Sequence, residues 1–213
     1  MMTGFWLTLN TVSAVLPGLL GDPVGLSSTS VTLTLVIANV VLVGGYVSAG
    51  VISQRVGRRP FLMTMGVVSA VLGTFLYYLL ISTAPESLLV VILLTTLITV
   101  LVVSPWGLVT TYINERFQTG VRASGFGLGY SLAVIIPAFY AFYQAGLEIF
   151  MPAQYTALVL LVIGALLILL GAAWGPETKD VDFAAEPEVS GAKEHPEDET
   201  GPDPRPTPGV DRS

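Results

Sequence analysis

Cysteine is absent from this 213-residue chain, and the only histidine is His195. Without cysteine there is no disulfide, no thiolate metal site and no thiol nucleophile. Charged residues make up only 11% of the chain, and none lies in the middle of its long apolar runs. A serine protease within a membrane would need a histidine there, and an aspartyl protease would need paired aspartates. We therefore predict that the chain is not an enzyme and binds no cofactor, metal or nucleic acid.

Six apolar runs occupy most of the sequence before residue 176. We place them at Gly4–Gly21, Thr29–Ser53, Phe61–Thr83, Leu88–Ile113, Ser124–Leu147 and Gln154–Trp174. A helix needs about 20 apolar residues to cross a hydrocarbon core about 30 Å thick. Backbone groups in lipid must also pair within their own segment, which favours helices. The sequence therefore predicts an all-α membrane protein in which residues 1–176 form six transmembrane helices.

The loops between these spans divide by charge. Five arginines lie in the second and fourth loops: Arg55, Arg58, Arg59, Arg116 and Arg122. The first, third and fifth loops contain no cation and only three acids: Asp22, Glu86 and Glu148. Because basic loops remain in the cytoplasm, we expect a multi-pass protein of the cell membrane with both termini cytoplasmic.

Residues 177–213 differ in composition from the rest of the chain. Eleven of the 15 acidic residues and four of the nine cations fall from Glu177 onward, among many prolines and few large apolar residues. Such a segment cannot bury enough apolar surface to fold. We predict a disordered acidic cytoplasmic tail, which either only solvates the protein or serves as a docking site.

Polar and aromatic residues recur at helical spacing on one face of spans one, four and five. Because polar side chains are costly in hydrocarbon, such faces either line a water-filled cavity or form hydrogen bonds between helices. The predicted substrate-binding residues, taken from these faces and from span two, are Trp6, Asn10, Asn39, Thr99, Trp106 and Tyr130. Span six is almost uniformly aliphatic, which suits a helix that faces lipid.

Prolines interrupt the first and fourth spans, at Pro17 and Pro105. These spans are equivalent if the six helices form two inverted triplets, and interrupted helices at equivalent repeat positions indicate a transport site. Coincidence also explains a pair of prolines. Spans two and five are instead rich in small residues, such as Gly44 and Gly127, which suit either a sliding interface or static close packing.

Three motifs resemble those of the major facilitator superfamily. Residues 50–60 (GVISQRVGRRP) resemble the family's G-x-x-S-D-R-x-G-R-R loop, with Gln54 in place of the usual aspartate. Residues 115–125 (ERFQTGVRASG) are similar to its E-x-F-P-T-x-x-R-x-x-G loop, with Gln118 in place of the usual proline. Residues 176–179 (PETK) resemble the motif that ends the last helix. Together they resemble the C-terminal half of the sugar-porter and metabolite:H⁺ symporter branches.

The resemblance implies a secondary active transporter that moves a small polar solute or metabolite by alternating access, present here as the C-terminal half or a fragment. It also implies a cytoplasmic gate, for which the matching residues are Arg55, Arg58, Arg59, Glu115, Arg122 and Glu177. The implied partners are the small-molecule substrate, the lipid bilayer, and either a missing N-terminal six-helix half or a second copy. We expect no transport by the monomer. The alternative is a non-transporting membrane scaffold or regulatory protein derived from a carrier half.

The chain has no ionisable residue in the middle of a span. A proton relay needs such a group within the membrane. If the complete carrier is a proton symporter, we expect its protonatable site to lie in the missing half.

Overall fold

Six long helices account for nearly all of the described structure. The computed structural model describes residues 1–83, 87–115, 117 and 122–179. The helices are α1 (Met2–Gly21), α2 (Ser28–Val56), α3 (Arg58–Thr83), α4 (Leu88–Asn114), α5 (Ala123–Leu147) and α6 (Ala153–Ala173). Each is long and apolar enough to cross a membrane, and the described ranges contain no strand. The predicted fold class, an all-α multi-pass membrane protein, is confirmed. The predicted tail from residue 180 onward lies outside the described residues.

Local sequence sets where the second and third helices begin. The Ser27 hydroxyl accepts a hydrogen bond from the backbone N–H of Ser30 at 3.2 Å, which is the usual cap of a helix N-terminus. At the other end of α2, Gly57 has φ of +111°, a conformation that side chains disfavour. This glycine lets the chain turn at once from α2 into α3, and so places the loop arginines against the ends of both helices.

Three helices are irregular at or near a proline, and α3 also has a π-helical turn at Ser69–Gly73, which contains no proline. In α1 the residues Thr11–Val15 form a π-helical turn just before Pro17, and α4 is broken between Val103 and Trp106 at Pro105. In α5 a 3₁₀ turn precedes Pro137, and the helix is broken again at Phe139. Proline has no N–H to donate to the preceding turn. Non-regular helix geometry of this kind is frequent at functional sites.

Helix α6 is held between α1 and α3 by close backbone contacts. A β-carbon at Gly164 would lie 2.8 Å from Thr8 Cγ2 and 3.0 Å from the carbonyl oxygen of Gly4. On α3, a β-carbon at Gly66 would lie 3.0 Å from the backbone nitrogen of Leu169. These glycines let the helices approach more closely than any larger residue allows.

Exposure does not follow polarity along this chain. Within an 18-residue apolar stretch of each helix, only 6% of the residues of α5 and 17% of those of α2 are buried inside the protein, against 44% of those of α6. The expectation that aliphatic span six would be a lipid-facing helix is therefore wrong for much of its surface. Among the glycines of the two exposed helices, Gly44, Gly127 and Gly129 have no neighbour within 4 Å of a β-carbon position.

Candidate functional site

Three of the predicted binding residues meet where α1, α4 and α5 come together. The rings of Trp6 and Trp106 lie 5.0 Å apart between centroids, and those of Trp6 and Tyr130 lie 5.2 Å apart. Trp106 and Tyr130 are 6.2 Å apart, and all three pairs pack edge to face. Such geometry is favoured between aromatic rings because the positive edge of one meets the negative face of the other. We call Trp6, Trp106 and Tyr130 the aromatic cluster.

Two side chains of α1 hydrogen-bond to the backbone of α5 beside this cluster. The Trp6 Nε1–H donates to the Tyr130 carbonyl oxygen at 3.3 Å. One turn along α1, the Asn10 Nδ2–H donates to the Pro137 carbonyl oxygen at 3.0 Å. Asn10 directly precedes the π-helical turn of α1, and Pro137 lies next to the break in α5. The polar contacts between α1 and α5 thus coincide with the irregular parts of both helices.

The Trp106 indole nitrogen is a buried donor that has no hydrogen-bond partner among the described residues. A buried donor without an acceptor costs about 1–3 kcal/mol, and such groups in native proteins call for an explanation. A ligand with a hydrogen-bond acceptor would satisfy Trp106 once the side chains that cover its indole nitrogen move aside. The cluster therefore has both the aromatic surface and a free donor that a polar solute requires.

The other two predicted binding residues lie elsewhere. Asn39 is exposed on α2 and donates to the Leu35 carbonyl oxygen of its own helix at 2.8 Å. Thr99 is buried and donates to the Thr95 carbonyl oxygen of its own helix at 2.7 Å. Each donates within its own helix, and among the described residues neither hydrogen-bonds to a member of the aromatic cluster.

Sequence reasoning did not include two aromatic residues that extend the cluster. Phe126 stacks on Tyr130 with the ring centroids 5.2 Å apart, and Phe5 packs edge to face on Trp106 at 5.7 Å. Phe126 precedes Tyr130 by four residues and therefore lies on the same helix face. The spacing could therefore have predicted that Phe126 joins the cluster. The sequence could not have predicted the same of Phe5, because its contact with Trp106 joins two different helices.

A second polar group lies at the end of the bundle that holds Arg55, Arg58 and Arg59, which we call the arginine end. The Arg58 Nη2–H donates to Glu115 Oε1 at 3.0 Å, and the two side chains are only 8% and 4% exposed. Arg58 Nη1 also donates to the Ser53 hydroxyl at 2.9 Å, and the Thr178 hydroxyl donates to Glu115 Oε2 at 2.5 Å. This buried pair therefore joins α3 to the end of α4 and to the segment that follows α6.

Glu177 binds the start of α3 through the backbone and not through a guanidinium. Its carboxylate accepts the backbone N–H of Arg58 at 2.8 Å and that of Arg59 at 3.1 Å. A carboxylate at a helix N-terminus interacts favourably with the unpaired N–H groups there. The Arg59 side chain instead donates to the Ala173 carbonyl oxygen at 2.6 Å. The side chain of Arg122 lies outside the described residues.

These contacts change the ionisation of Glu177. Partial burial alone would raise the pKa of its carboxyl, but backbone N–H donation from Arg58, Arg59, Lys179 and Thr178 outweighs burial and holds the pKa below its ordinary value of 4.5. A carboxyl with a lowered pKa in the folded state stabilises the fold at pH values above its unfolded pKa. That contribution is lost as the pH falls through the lowered folded pKa.

We therefore expect E177Q to lower the Tm of the detergent-solubilised protein at pH 7 by about 1–3 °C, the effect of a carboxylate at an exposed helix N-terminus. Because protonated glutamate resembles glutamine, the difference in Tm should begin to shrink below pH 4.5 and be lost as the pH falls through the lowered pKa of Glu177. Thermal unfolding across pH measures this. Glu148→Gln, a change at the opposite end of the bundle, serves as the control at neutral pH. A difference between wild type and E177Q that stayed constant with pH would contradict this assignment.

Comparison with known proteins agrees with the architecture. The family model described as Major Facilitator Superfamily matches residues 1–205. No curated protein matches the chain. The six helices long enough to cross a membrane are in accord with that family, whose members are generally transporters and not enzymes. The chain therefore belongs to the Major Facilitator Superfamily, a family of membrane transporters.

Proposed function

We propose that this chain is the C-terminal six-helix half of a secondary active transporter, of the sugar-porter or metabolite:H⁺ symporter type, which carries a small polar solute by alternating access. The observation that supports this most directly is the unpaired Trp106 indole N–H within the aromatic cluster. It is accompanied by the irregular turns in α1, α4 and α5, the helices that supply the cluster. Interrupted helices at a point of convergence are a recurrent feature of transport sites.

The chemistry of the cluster suggests the class of solute. It offers aromatic surface from Trp6, Trp106 and Tyr130, one free indole donor, and a carboxamide at Asn10 beside it. None of these side chains is of an acidic or basic residue type. A solute held by this half alone is therefore an uncharged molecule with apolar faces and hydrogen-bond acceptors. Groups on the facing half would bind any charged part of the solute, or any proton that moves with it.

The exposure of α5 supports a facing half. Only 6% of the residues in an 18-residue apolar stretch of this helix are buried, although the helix supplies Tyr130 and carries the half-buried polar residues Tyr140 and Gln144. Polar groups that faced lipid would be costly. A second six-helix bundle, either an N-terminal half or a second copy, would cover this surface and complete the cavity. Saturable uptake by the monomer reconstituted alone in liposomes would contradict the need for a partner.

The arginine end is proposed to be cytoplasmic and to form part of the inner gate. Arg58, Glu115 and Glu177 bind within this half, so they join the ends of α3, α4 and α6 into one block. During alternating access this block would move as a unit. Contacts with the facing half would then be made by the exposed Arg59 and by Arg122, and exposed ion pairs of about 0–1 kcal/mol each are weak enough to break in every cycle.

Cysteine labelling tests whether the proposed cavity is wet. Because the chain has no cysteine, each introduced thiol is unique. In the assembled carrier, we expect N10C and Y130C to react with a water-soluble maleimide more than about tenfold faster than A157C, since the reactive thiolate forms only where water solvates it. Ala157 is the control because it is fully buried in the core. Labelling of N10C and Y130C no faster than A157C in any state would exclude the cavity.

A further inference from the structure

A groove of about 420 Å³ lies on the outer surface between α2, α3 and α4. It is separate from the aromatic cluster and none of the proposed transport steps uses it. Six of the residues that line it are Val41, Gly44, Ser48 and Ile52 of α2 and Phe61 and Met65 of α3. A β-carbon at Gly44 would meet no neighbour within 4 Å, so the glycine leaves the floor of the groove open. The groove is mostly apolar and runs along the direction of α2.

A cation continues the line of this groove. The α2 residues Val41, Gly44, Ser48 and Ile52 follow one another at intervals of three or four, and the next position on that face is Arg55. Arg55 is exposed, and its guanidinium has no acceptor among the described residues. Its backbone carbonyl, by contrast, accepts a hydrogen bond from Lys179 Nζ at 3.1 Å. The apolar groove is thus followed along α2, toward the arginine end, by a guanidinium that has no acceptor in the described part of the chain.

We propose that this groove binds an anionic phospholipid, with one acyl chain along Gly44 and Ile52 and the headgroup phosphate on the Arg55 guanidinium. An amphiphile of this kind has its negative charge at one end of an apolar chain, which is the complement of the groove and its terminal arginine. Arginine binds phosphate oxygens through two parallel N–H groups, so it holds such a headgroup better than a point charge would. The lipid comes from the leaflet at the arginine end, where anionic headgroups attract basic residues.

Native mass spectrometry of the 213-residue chain tests this with two defined lipids, phosphatidylglycerol and phosphatidylcholine of identical acyl chains. The wild type is expected to retain phosphatidylglycerol in preference to phosphatidylcholine. R55Q should reduce that preference about fivefold, the usual effect of one basic residue at an anionic surface. K193Q removes one cation from the tail segment and should leave the preference unchanged.

A pair of glycine variants tests the groove itself. G44L fills its floor and should reduce the retention of both lipids, because the acyl chain no longer fits. G127L places the same side chain at another open glycine, on α5, and should retain lipid as the wild type does. An R55Q protein with an unchanged preference, or a G44L protein that retains lipid as well as G127L, would overturn the proposal. A wild type that retains the two lipids equally would also overturn it. So would a dimer of this chain that G44L dissociates and G127L does not, because the groove would then bind a second copy and not a lipid.

Discussion

Replacing Glu115 by alanine should lower the free energy of unfolding by about 3–5 kcal/mol, the usual cost of breaking a buried ion pair. Glu115 pairs with Arg58 at 3.0 Å, and both side chains are almost completely buried. Without the carboxylate, the guanidinium remains out of water with no counter-charge, and the Thr178 hydroxyl also loses its acceptor. We expect E115A to show a much lower Tm in detergent and reduced yield from the membrane.

The double variant distinguishes an unpaired charge from lost packing. Replacing both partners by apolar residues of similar size, as in R58M with E115L, removes the charge as well as its partner, and such exchanges are often nearly neutral. The double variant should therefore recover most of the stability that E115A loses. Arg59→Ala is the matched control, since Arg59 is exposed and its loss should cost less than about 1 kcal/mol. If E115A and R59A unfolded at the same temperature, the pair would not have the structural role assigned to it.

The second large effect is expected at the contact between α1 and α6. G164L should destabilise the protein by about 3 kcal/mol, because the new side chain must occupy space held by Thr8 and by the Gly4 backbone. The backbone of a helix cannot rotate away as a flexible side chain can, so α1 must separate from α6. Since α1 carries Trp6 and Asn10, the same change should disturb the aromatic cluster as well as the Tm.

The control for G164L is a glycine with open space around it. G127L introduces the same side chain into α5, where a β-carbon meets no neighbour within 4 Å, and it should leave the Tm unchanged or slightly raised. Thermal unfolding of both variants in the same detergent measures the difference. Equal Tm values for G164L and G127L would show that close packing of α1 on α6 does not limit stability.

The six spans could be predicted from hydropathy because a membrane helix must be apolar along its whole length. The predicted boundaries differ from the observed ones by a few residues, as for the second span, which was placed at Thr29–Ser53 and extends over Ser28–Val56. The residues Gln54, Arg55 and Val56 continue the helix beyond the predicted span. Hydropathy marks where lipid ends, whereas backbone hydrogen bonding continues until Gly57 turns the chain.

The aromatic cluster could be predicted only in part. Polar faces on α1, α4 and α5 identified Trp6, Trp106 and Tyr130, because a helix that avoids lipid on one side shows this in its own periodicity. Asn39 and Thr99 look equally polar in sequence, yet each donates to the preceding turn of its own helix. A single sequence does not distinguish a side chain that bonds within its helix from one that reaches across to another.

The sequence by itself determined that this chain has six helices long and apolar enough to cross a membrane and that the arginines before residue 177 fall only in the second and fourth loops, since both follow from composition along the chain. Only the tertiary structure decided which faces are buried. Aliphatic α6 is packed between α1 and α3, while α5, with its polar residues, is the most exposed helix. The physical reason is that lipid tails are as apolar as leucine, so hydrophobicity inserts a helix without selecting its neighbours. Close backbone contacts such as Gly4 with Gly164, and the pairing of Arg58 with Glu115, make that selection.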